Sequence, residues 1–309
     1  CGGGDKGTSE PPKPKPIAAD LKDLPNKDVK VGIKTFKLFT LKNNSNLHLQ
    51  NTYSKGMRVA VVGRDMIYAN IKDRLVQMRW DKDGLRMLDN NVDSMSGNAK
   101  ISSDGTRGIF YTNKRMRLNY FDSETKRIEE AQGRFNNLVV IPKGNADKAL
   151  IWMNQGEMRK VDLRNGYRVG KDLGTVRKES RSRDAADKDK INIPQSVVAD
   201  RNGDFYVGGN ARIGTQDVGL VSVYDFNGKQ KRVIGKEKRE DSNAINSLTD
   251  IALTDEYLVV SDSSVDKQQL QIYRKNTGTL VGTVSYKDLT DNKETSIGAC
   301  VNLANMPDT

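Results

Sequence analysis

The sequence predicts an all-β propeller, a fold in which four-stranded sheets pack radially around a common axis. Three observations support this prediction. A strand motif ending in an aromatic residue and Asn recurs along the chain, and an apolar strand that runs into a turn follows each copy. No stretch shows a helical period with capping residues; the segment Asp20–Leu24 is at most one turn. The repeat is about forty residues long, which suits one four-stranded blade.

The two recurring strands can be followed through the chain in order. The first reads Ile67–Asn70, Phe110–Asn113 and Ile151–Asn154, with later counterparts at Phe205–Val207 and Tyr257–Val260. The second reads Trp80–Gly84, Phe121–Glu124, Val161–Gly166, Tyr224–Gly228 and Tyr273–Gly278. Asp in such turns bonds its own backbone and Gly accepts a positive φ, so apolar runs flanked by these residues predict hairpins.

These repeats predict five complete blades, centred near residues 58–90, 98–131, 137–172, 195–235 and 248–285. A strand-rich piece (Val29–Tyr53) and a C-terminal strand (Ile297–Ala304) remain. Joining them would give a six-bladed propeller with one blade assembled from both termini, which removes a free sheet edge. Five or seven blades remain as alternatives.

The N-terminal region differs in composition from the rest of the chain. Residues 1–27 are rich in Gly, Pro, Lys and acidic residues, with few apolar side chains to offset the entropy of ordering. We expect residues 1–27 to be a disordered tether and residues 28–309 to form the propeller domain.

Cys1, followed by Gly2–Gly4 and a Pro/Lys spacer, resembles the start of a mature bacterial lipoprotein. The resemblance implies acylation of Cys1, palmitate included, and a lipid-anchored place in the cell envelope, at the outer membrane or cell surface. The alternative is that Cys1 is an arbitrary boundary. The sequence has no run of about 18 apolar residues that could span a bilayer as a helix, so membrane attachment would depend on the lipid.

Two hairpins also resemble known propeller families. The segment Pro194–Gly208, with a Pro before an apolar strand, an Asp-x-x-Gly turn and an aromatic strand, looks like an NHL repeat. The segment Ser102–Phe110 is similar to the hairpin of TolB-type propellers. These resemblances imply the fold and say little about activity, because propellers have many unrelated functions.

The formal net charge of +11 favours anionic partners over neutral ones. We expect a protein or an anionic glycan, and no nucleic acid, because aromatic residues for base stacking make up only 6% of the chain. Candidate binding residues lie in predicted strands and in a charged insertion: Arg115, Arg117, Arg159, Lys160, Arg181 and Arg183. The alternative is that these charges only solvate strand faces and a mobile loop.

Catalytic machinery is scarce in the sequence. The single histidine, His48, lies in an alternating strand pattern typical of a surface residue, and Cys300 lies in an apolar run typical of a small buried side chain. Neither supports a zinc site. Resemblance to six-bladed hydrolases and lactonases leaves a calcium site in the central channel as an alternative. Its ligands would be Asn70, Asn113, Asn154, Asn210 and Asp262, although Asn at a strand end more commonly caps a turn.

The sequence therefore predicts a lipid-anchored, non-enzymatic binding or scaffold module that docks its partner through loops, without a cofactor. A calcium-dependent hydrolase or lactonase is the alternative. An axial channel that is wide or plugged, with Lys and Arg at its mouth, would favour binding.

Overall fold

The computed structural model describes residues 21–41, 56–97, 99–104, 107–134, 137–140, 148–152, 157–162, 168–175, 193–213, 216–235, 241, 243–289, 301 and 303–305. Within these ranges the chain forms five four-stranded antiparallel sheets and one two-stranded sheet. In each four-stranded sheet, strands that follow one another in sequence are neighbours. This is the meander that the repeats predict.

The two-stranded sheet comprises β1 (Asn26–Val31) and β2 (Lys34–Phe39). Sheet 1 comprises β3 (Val59–Val62), β4 (Met66–Ile71), β5 (Arg74–Asp81) and β6 (Gly84–Ser94). Sheet 2 comprises β7 (Ile101–Ser103), β8 (Gly108–Thr112), β9 (Arg117–Asp122) and β10 (Ile128–Arg134). Sheet 3 comprises β11 (Asn137–Val140), β12 (Lys148–Trp152), β13 (Glu157–Asp162) and β14 (Arg168–Thr175). Sheet 4 comprises β15 (Ile193–Ala199), β16 (Phe205–Ile213), β17 (Gln216–Tyr224) and β18 (Gln230–Ile234). Sheet 5 comprises β19 (Leu248–Leu253), β20 (Tyr257–Asp262), β21 (Gln269–Arg274) and β22 (Leu280–Ser285).

The first strands of successive sheets contact one another, in the order β3, β7, β11, β15 and β19. Sheets that meet through their first strands and extend outward through their fourth are arranged radially about an axis, so the fold is a β-propeller. The bounds of the five sheets agree with the five predicted blades to within a few residues.

The turns between strands are formed by the predicted aspartates. Asp225 Oδ1 accepts hydrogen bonds from the backbone N–H groups of Asn227 and Lys229, each at 2.9 Å. Asp122 Oδ1 accepts from Glu124 at 2.8 Å and from Thr125 at 3.1 Å. These Asx-type turns fix the hairpins locally, which explains why the repeat could be read from the sequence.

The core lies between neighbouring sheets. One buried cluster joins sheets 1 and 2 and contains Tyr68, Leu75, Ile109 and Tyr111. A larger one joins sheets 4 and 5 and contains Tyr206, Val221, Leu248, Ile251 and Leu258. In both clusters, apolar residues on the facing surfaces of two neighbouring sheets pack against each other.

The two-stranded sheet bridges the last and first sheets of the series. Val29, Val31 and Phe36 pack against sheet 5, including Ile272 and Val284. The opposite end of the same hairpin packs against sheet 1, in a cluster that joins Leu24, Phe39 and Leu41 to Trp80. Because the hairpin contacts both sheets, it brings the two ends of the series together.

The structure changes one sequence prediction at the N-terminus, the boundary of the tether. Leu24 is buried against Trp80, and Asn26 and Lys27 are paired in β1, so residues 21–27 belong to the packed structure and not to the predicted tether. The cause is an apolar contact between residues far apart in sequence, which composition alone does not reveal. A 3₁₀ turn at Leu21–Asp23 matches the single turn expected there, and a short helix α1 (Tyr286–Leu289) follows β22. Most of the predicted strand Ile297–Ala304 lies outside the described residues.

Candidate functional site at the central axis

Residues Gly56–Arg58, here called the axial segment, occupy the centre of the propeller just before β3. The Met57 carbonyl accepts a hydrogen bond from the Ile101 N–H of β7 at 2.6 Å. The Met57 N–H points to Asp250 Oδ1 of β19 at 3.4 Å, and the Val197 N–H of β15 lies 3.2 Å from the Met57 sulfur. Strands β7, β15 and β19 are the first strands of sheets 2, 4 and 5. All three can contact a single residue only where the first strands converge, near the axis.

Gly56 has the backbone conformation that this position requires. Its φ is +60°, and a Cβ atom there would lie 2.0 Å from the Gln195 carbonyl oxygen. Glycine is therefore needed both for the left-handed conformation and for the close approach to β15. Met57 is 5% exposed, and its side chain packs in a cluster with Val197, Ala199 and Phe205 of sheet 4.

Asp250 is the buried carboxylate beside the axial segment. Oδ1 accepts from its neighbour Ile251 N–H at 2.9 Å, and Oδ2 accepts from Leu303 N–H at 2.7 Å. Asp250 thus links sheet 5 to the segment that enters sheet 1 and to the C-terminal part of the chain. Burial raises the pKa of Asp250 to about 6, against the opposing effect of the backbone N–H donors, led by that of Leu303.

Two cationic side chains form hydrogen bonds here, Arg58 within the axial segment and Lys100 beside it. Lys100 Nζ donates to the Gly56 carbonyl at 2.9 Å, and an Arg58 Nη donates to the Gly97 carbonyl at 3.1 Å. Arg58 is 5% exposed, and its burial lowers the guanidinium pKa while the negative charge of Asp73 acts in the opposite direction. Both hydrogen bonds join the axial segment to the connection between sheets 1 and 2, which contains Gly97 and Lys100.

Three of the four predicted calcium ligands within the described residues lie at or next to the end of the second strand of a sheet, and the fourth, Asn210, lies inside β16. Asn70 is near the end of β4, Asn113 follows β8 and Asp262 ends β20, each in the second strand of its sheet. Asn113 Oδ1 accepts from the N–H groups of Arg115 and Arg117, at 2.9 and 3.0 Å.

The remaining oxygens in this set have different surroundings. The two Asp262 oxygens accept from Asn246 at 2.8 Å, and from Ser247 and Ser264 at 3.1 Å. Asn210 Oδ1 accepts from Leu248 N–H at 3.3 Å. Asn70 donates through Nδ2 to the Ala99 carbonyl at 3.2 Å, whereas its Oδ1 is buried without a hydrogen-bond partner. Asn113, Asp262 and Asn210 are thus engaged with backbone, and Asn70 retains a free acceptor.

The predicted basic residues are spread over two sheets. Arg115 lies in the turn before β9 and Arg117 begins that strand; both are exposed. Arg115 is 3.1 Å from Glu130, but with 76% of its side chain exposed this ion pair contributes little to stability. Arg159 and Lys160 are neighbours in β13, where the structure describes the backbone only. Cys1, Asn154, Arg181 and Arg183 lie outside the described residues.

Sequence reasoning missed the axial residues. Gly56 and Met57 carry no recognisable motif, and their position depends on contacts with strands far along the chain. Asp250 did carry a signal, because it interrupts the apolar run Leu248–Leu253 and a carboxylate in a buried strand needs partners.

In the described part of the chain, no group of three or more His, Cys, Asp and Glu side chains is arranged to hold a metal ion. No helix among those residues has the length and apolar character needed to cross a bilayer.

No protein-family model matches the sequence, and neither does any curated protein. Solved structures do resemble it. A chain from a structure described as the nidogen/laminin complex aligns with a TM-score of 0.55 and 13% identity, over 90% of this chain and 96% of that chain. A protein of unknown function from Bacteroides caccae aligns with a TM-score of 0.52 and 12% identity, over 81% of this chain and 85% of that chain. At these identities the likeness concerns the fold, and it supports the propeller architecture.

Proposed function

We propose that this protein is a membrane-tethered binding module of the bacterial cell envelope, which docks a protein or an anionic glycan on one face of the propeller. In an antiparallel meander, the turn between second and third strands lies at the same edge as the exit from the fourth strand. These segments form the face that we call the loop face, represented by Lys72–Asp73, Asn113–Met116 and Ser263–Gln268.

The observation that carries this proposal is the axial segment. Met57 is buried among the first strands of sheets 2, 4 and 5, and Arg58 and Lys100 form hydrogen bonds beside it. A filled axis favours recognition on the surface over chemistry in a channel, because a channel substrate would have to displace a segment bonded to sheets 2 and 5. The similarity to a chain of the nidogen/laminin complex is consistent with a propeller that binds a protein.

Ring closure is part of the proposal. The hairpin β1–β2 bridges sheets 5 and 1, and residues 303–305 run beside β19, where Leu253 N–H donates to Asn305 Oδ1 at 2.7 Å. We propose that these N-terminal and C-terminal pieces occupy the position of a sixth blade. Tethering through Cys1 is likewise proposed from the sequence resemblance and would leave the loop face to bind.

Site-specific photo-crosslinking in intact cells tests the docking role. A photoreactive residue is placed at Arg117 or Asp266 on the loop face, and as matched controls at Glu124 or Lys229 on the opposite face; all four are exposed. We expect one defined adduct from both loop-face positions and none from the controls. Adducts confined to Glu124 and Lys229, or none from any position, would contradict the proposal.

The calcium-dependent hydrolase or lactonase is retained as a second candidate on one observation, the unpartnered Asn70 Oδ1. Calcium takes six to eight oxygen ligands, so carbonyls, water or other side chains would have to join it. A calcium-specific rise in Tm, absent with magnesium and lost in Asn70→Ala, would favour this candidate. An unchanged Tm at millimolar calcium would remove it.

A further inference from the structure

We propose that the hairpin β1–β2, here called the basic hairpin (Asn26–Phe39), is a contact surface for the anionic headgroups of a lipid bilayer. Its sequence contains four lysines and one carboxylate. Lys27, Lys30, Lys34 and Lys37 are all exposed. Asp28 pairs with Lys37 at 3.6 Å, but both side chains are more than 60% exposed, so solvent screens the pair and the positive charge dominates.

An apolar side chain lies at the tip of the same hairpin. Ile33 is 98% exposed, the most exposed of the large hydrophobic residues in the described chain. Beside it, Gly32 has φ +61°, and a Cβ atom there would lie 2.0 Å from the Val281 carbonyl oxygen, so the turn is held against β22. Ile33 is therefore presented to solvent by a fixed backbone. A protruding apolar residue flanked by lysines suits an anionic membrane interface, where the side chain enters the headgroup region and the ammonium groups meet lipid phosphates.

One face of the basic hairpin is engaged with the propeller. The strand register places Lys27 and Lys34 at the two ends of that face, and Lys30 and Lys37 on the outer face. Val29, Val31 and Phe36 pack against sheet 5, and Phe36 meets Tyr257 edge to face with ring centroids 5.3 Å apart. The backbone that carries the exposed lysines and Ile33 is thus packed against the domain. Contact with a bilayer would orient the propeller, which a tether alone would not do. The inference deepens the proposed membrane tethering and rests on it only for its biological setting.

Vesicle co-sedimentation of the full chain carrying Cys1→Ser, which excludes any lipid anchor, tests the inference directly. Vesicles contain either phosphatidylcholine alone or phosphatidylcholine with one third phosphatidylglycerol, at 0.1 M salt. The test variants are Lys30→Gln/Lys34→Gln and Ile33→Ser. The matched control is Lys114→Gln/Lys229→Gln, which removes two exposed lysines from sheets 2 and 4. Far-ultraviolet circular dichroism and Tm confirm that each variant folds.

We expect binding to the anionic vesicles, weak binding to the neutral ones, and loss of binding as salt rises. A lysine near an anionic surface contributes roughly fivefold to affinity, so Lys30→Gln/Lys34→Gln should bind about 25-fold more weakly. Ile33→Ser should weaken binding severalfold, and the control by less than twofold.

Several results would overturn the inference. One is equal binding to neutral and anionic vesicles; another is equal loss in the control and test variants. Competition by millimolar inorganic phosphate would indicate a site for the free ion. Equally tight binding of polyglutamate, unaffected by Ile33→Ser, would indicate an acidic polypeptide partner. Because Cys1 is replaced in every sample, a negative result would bear only on the basic hairpin and not on the proposed lipid anchor. The anchor is tested separately, by measuring acylation of the native chain.

Discussion

The junction between sheets 4 and 5 and the junction between sheets 5 and 1 are built differently. The first buries eleven apolar residues in one cluster, together with an ion pair between Lys275 and Asp200. The second is made through the hairpin β1–β2, whose contacts fall into two smaller clusters with mostly half-buried members. The difference indicates that sheets 4 and 5 are joined more tightly than sheets 5 and 1, which meet through the hairpin.

The largest effect is expected at the junction between sheets 4 and 5. Lys275 Nζ lies 3.0 Å from Asp200 Oδ1, with side chains 7% and 13% exposed. Lys275 also donates to the Thr254 carbonyl at 2.9 Å, and its own carbonyl accepts from Arg232 at 3.0 Å. Lys275→Met would leave the Asp200 carboxylate without its cation and lower the free energy of unfolding by about 3 kcal/mol.

Urea unfolding measures this change. The double variant Lys275→Met/Asp200→Asn removes the stranded charge while Asn retains an acceptor for the Arg201 N–H. The double variant should therefore recover part of the free energy of unfolding that Lys275→Met loses. A loss below about 1 kcal/mol in Lys275→Met would mean that the two sheets are not joined through this pair.

The next effect is a pH dependence at Asp250. Its raised pKa of about 6 means that the native carboxyl holds its proton to higher pH than the unfolded one. Its contribution to stability is therefore complete below about pH 4 and is lost as pH rises through about 6, a change of about 3 kcal/mol. Asp250→Asn removes the titration, so stability relative to the wild type should increase by that amount between pH 4 and pH 7.

Urea unfolding of both proteins across this range is the measurement, and the difference between the two removes contributions from other groups. Asn also loses an acceptor for a backbone N–H, which lowers stability equally at every pH. If the difference in free energy of unfolding between the two proteins did not change with pH, Asp250 would titrate normally in the native protein.

A smaller effect is expected at the junction closed by the hairpin, where two glycines form a matched pair. Gly32 and Gly63 have φ values of +61° and +62°, but a Cβ atom at Gly63 would meet nothing within 4 Å. Gly63→Ala should therefore cost about 1 kcal/mol for backbone conformation alone. Gly32→Ala adds a clash with the Val281 carbonyl, and we expect a cost of roughly 2 kcal/mol.

Thermal and urea unfolding compare the two variants, and limited proteolysis reports whether the hairpin detaches in Gly32→Ala. Equal losses of stability in both variants would show that the turn at Gly32 is not in close steric contact with β22. Proteolysis unchanged from the wild type would show that the clash is relieved without opening the junction.

The five sheets could be predicted from the sequence because each hairpin is specified locally. Asp225 and Asp122 bond the backbone of their own turns, and the aromatic strands recur with them, so no long-range information was needed. The sequence predicted that the N-terminal piece belongs to the closing blade, but it could not predict the contacts of the hairpin β1–β2, in which Leu24 meets Trp80 and Val31 meets Val284. These are ordinary apolar residues whose partners lie far away in sequence.

The candidate site was less predictable for the same reason. The repeat placed Asn70, Asn113 and Asn154 at the ends of equivalent strands; Asn70 lies near the end of β4 and Asn113 directly follows β8, whereas Asn154 lies outside the described residues. The axial segment follows no repeat, and Met57 reaches the centre through backbone bonds to Ile101 and the Asp250 carboxylate. A close look at Asp250 within its apolar strand could have indicated a buried polar junction, but not which segments it joins.

Native-state hydrogen exchange tests the central claim, that the junction made by the hairpin between sheets 5 and 1 is less stable than the junction between sheets 4 and 5. Amides in β1 and β2 should exchange by local opening. The free energy of this opening should be lower than that for amides in β19–β21 and should change little at low urea concentrations. The β19–β21 amides should exchange only by global unfolding. Equal protection in the hairpin and in sheet 5, with the same urea dependence, would contradict the account.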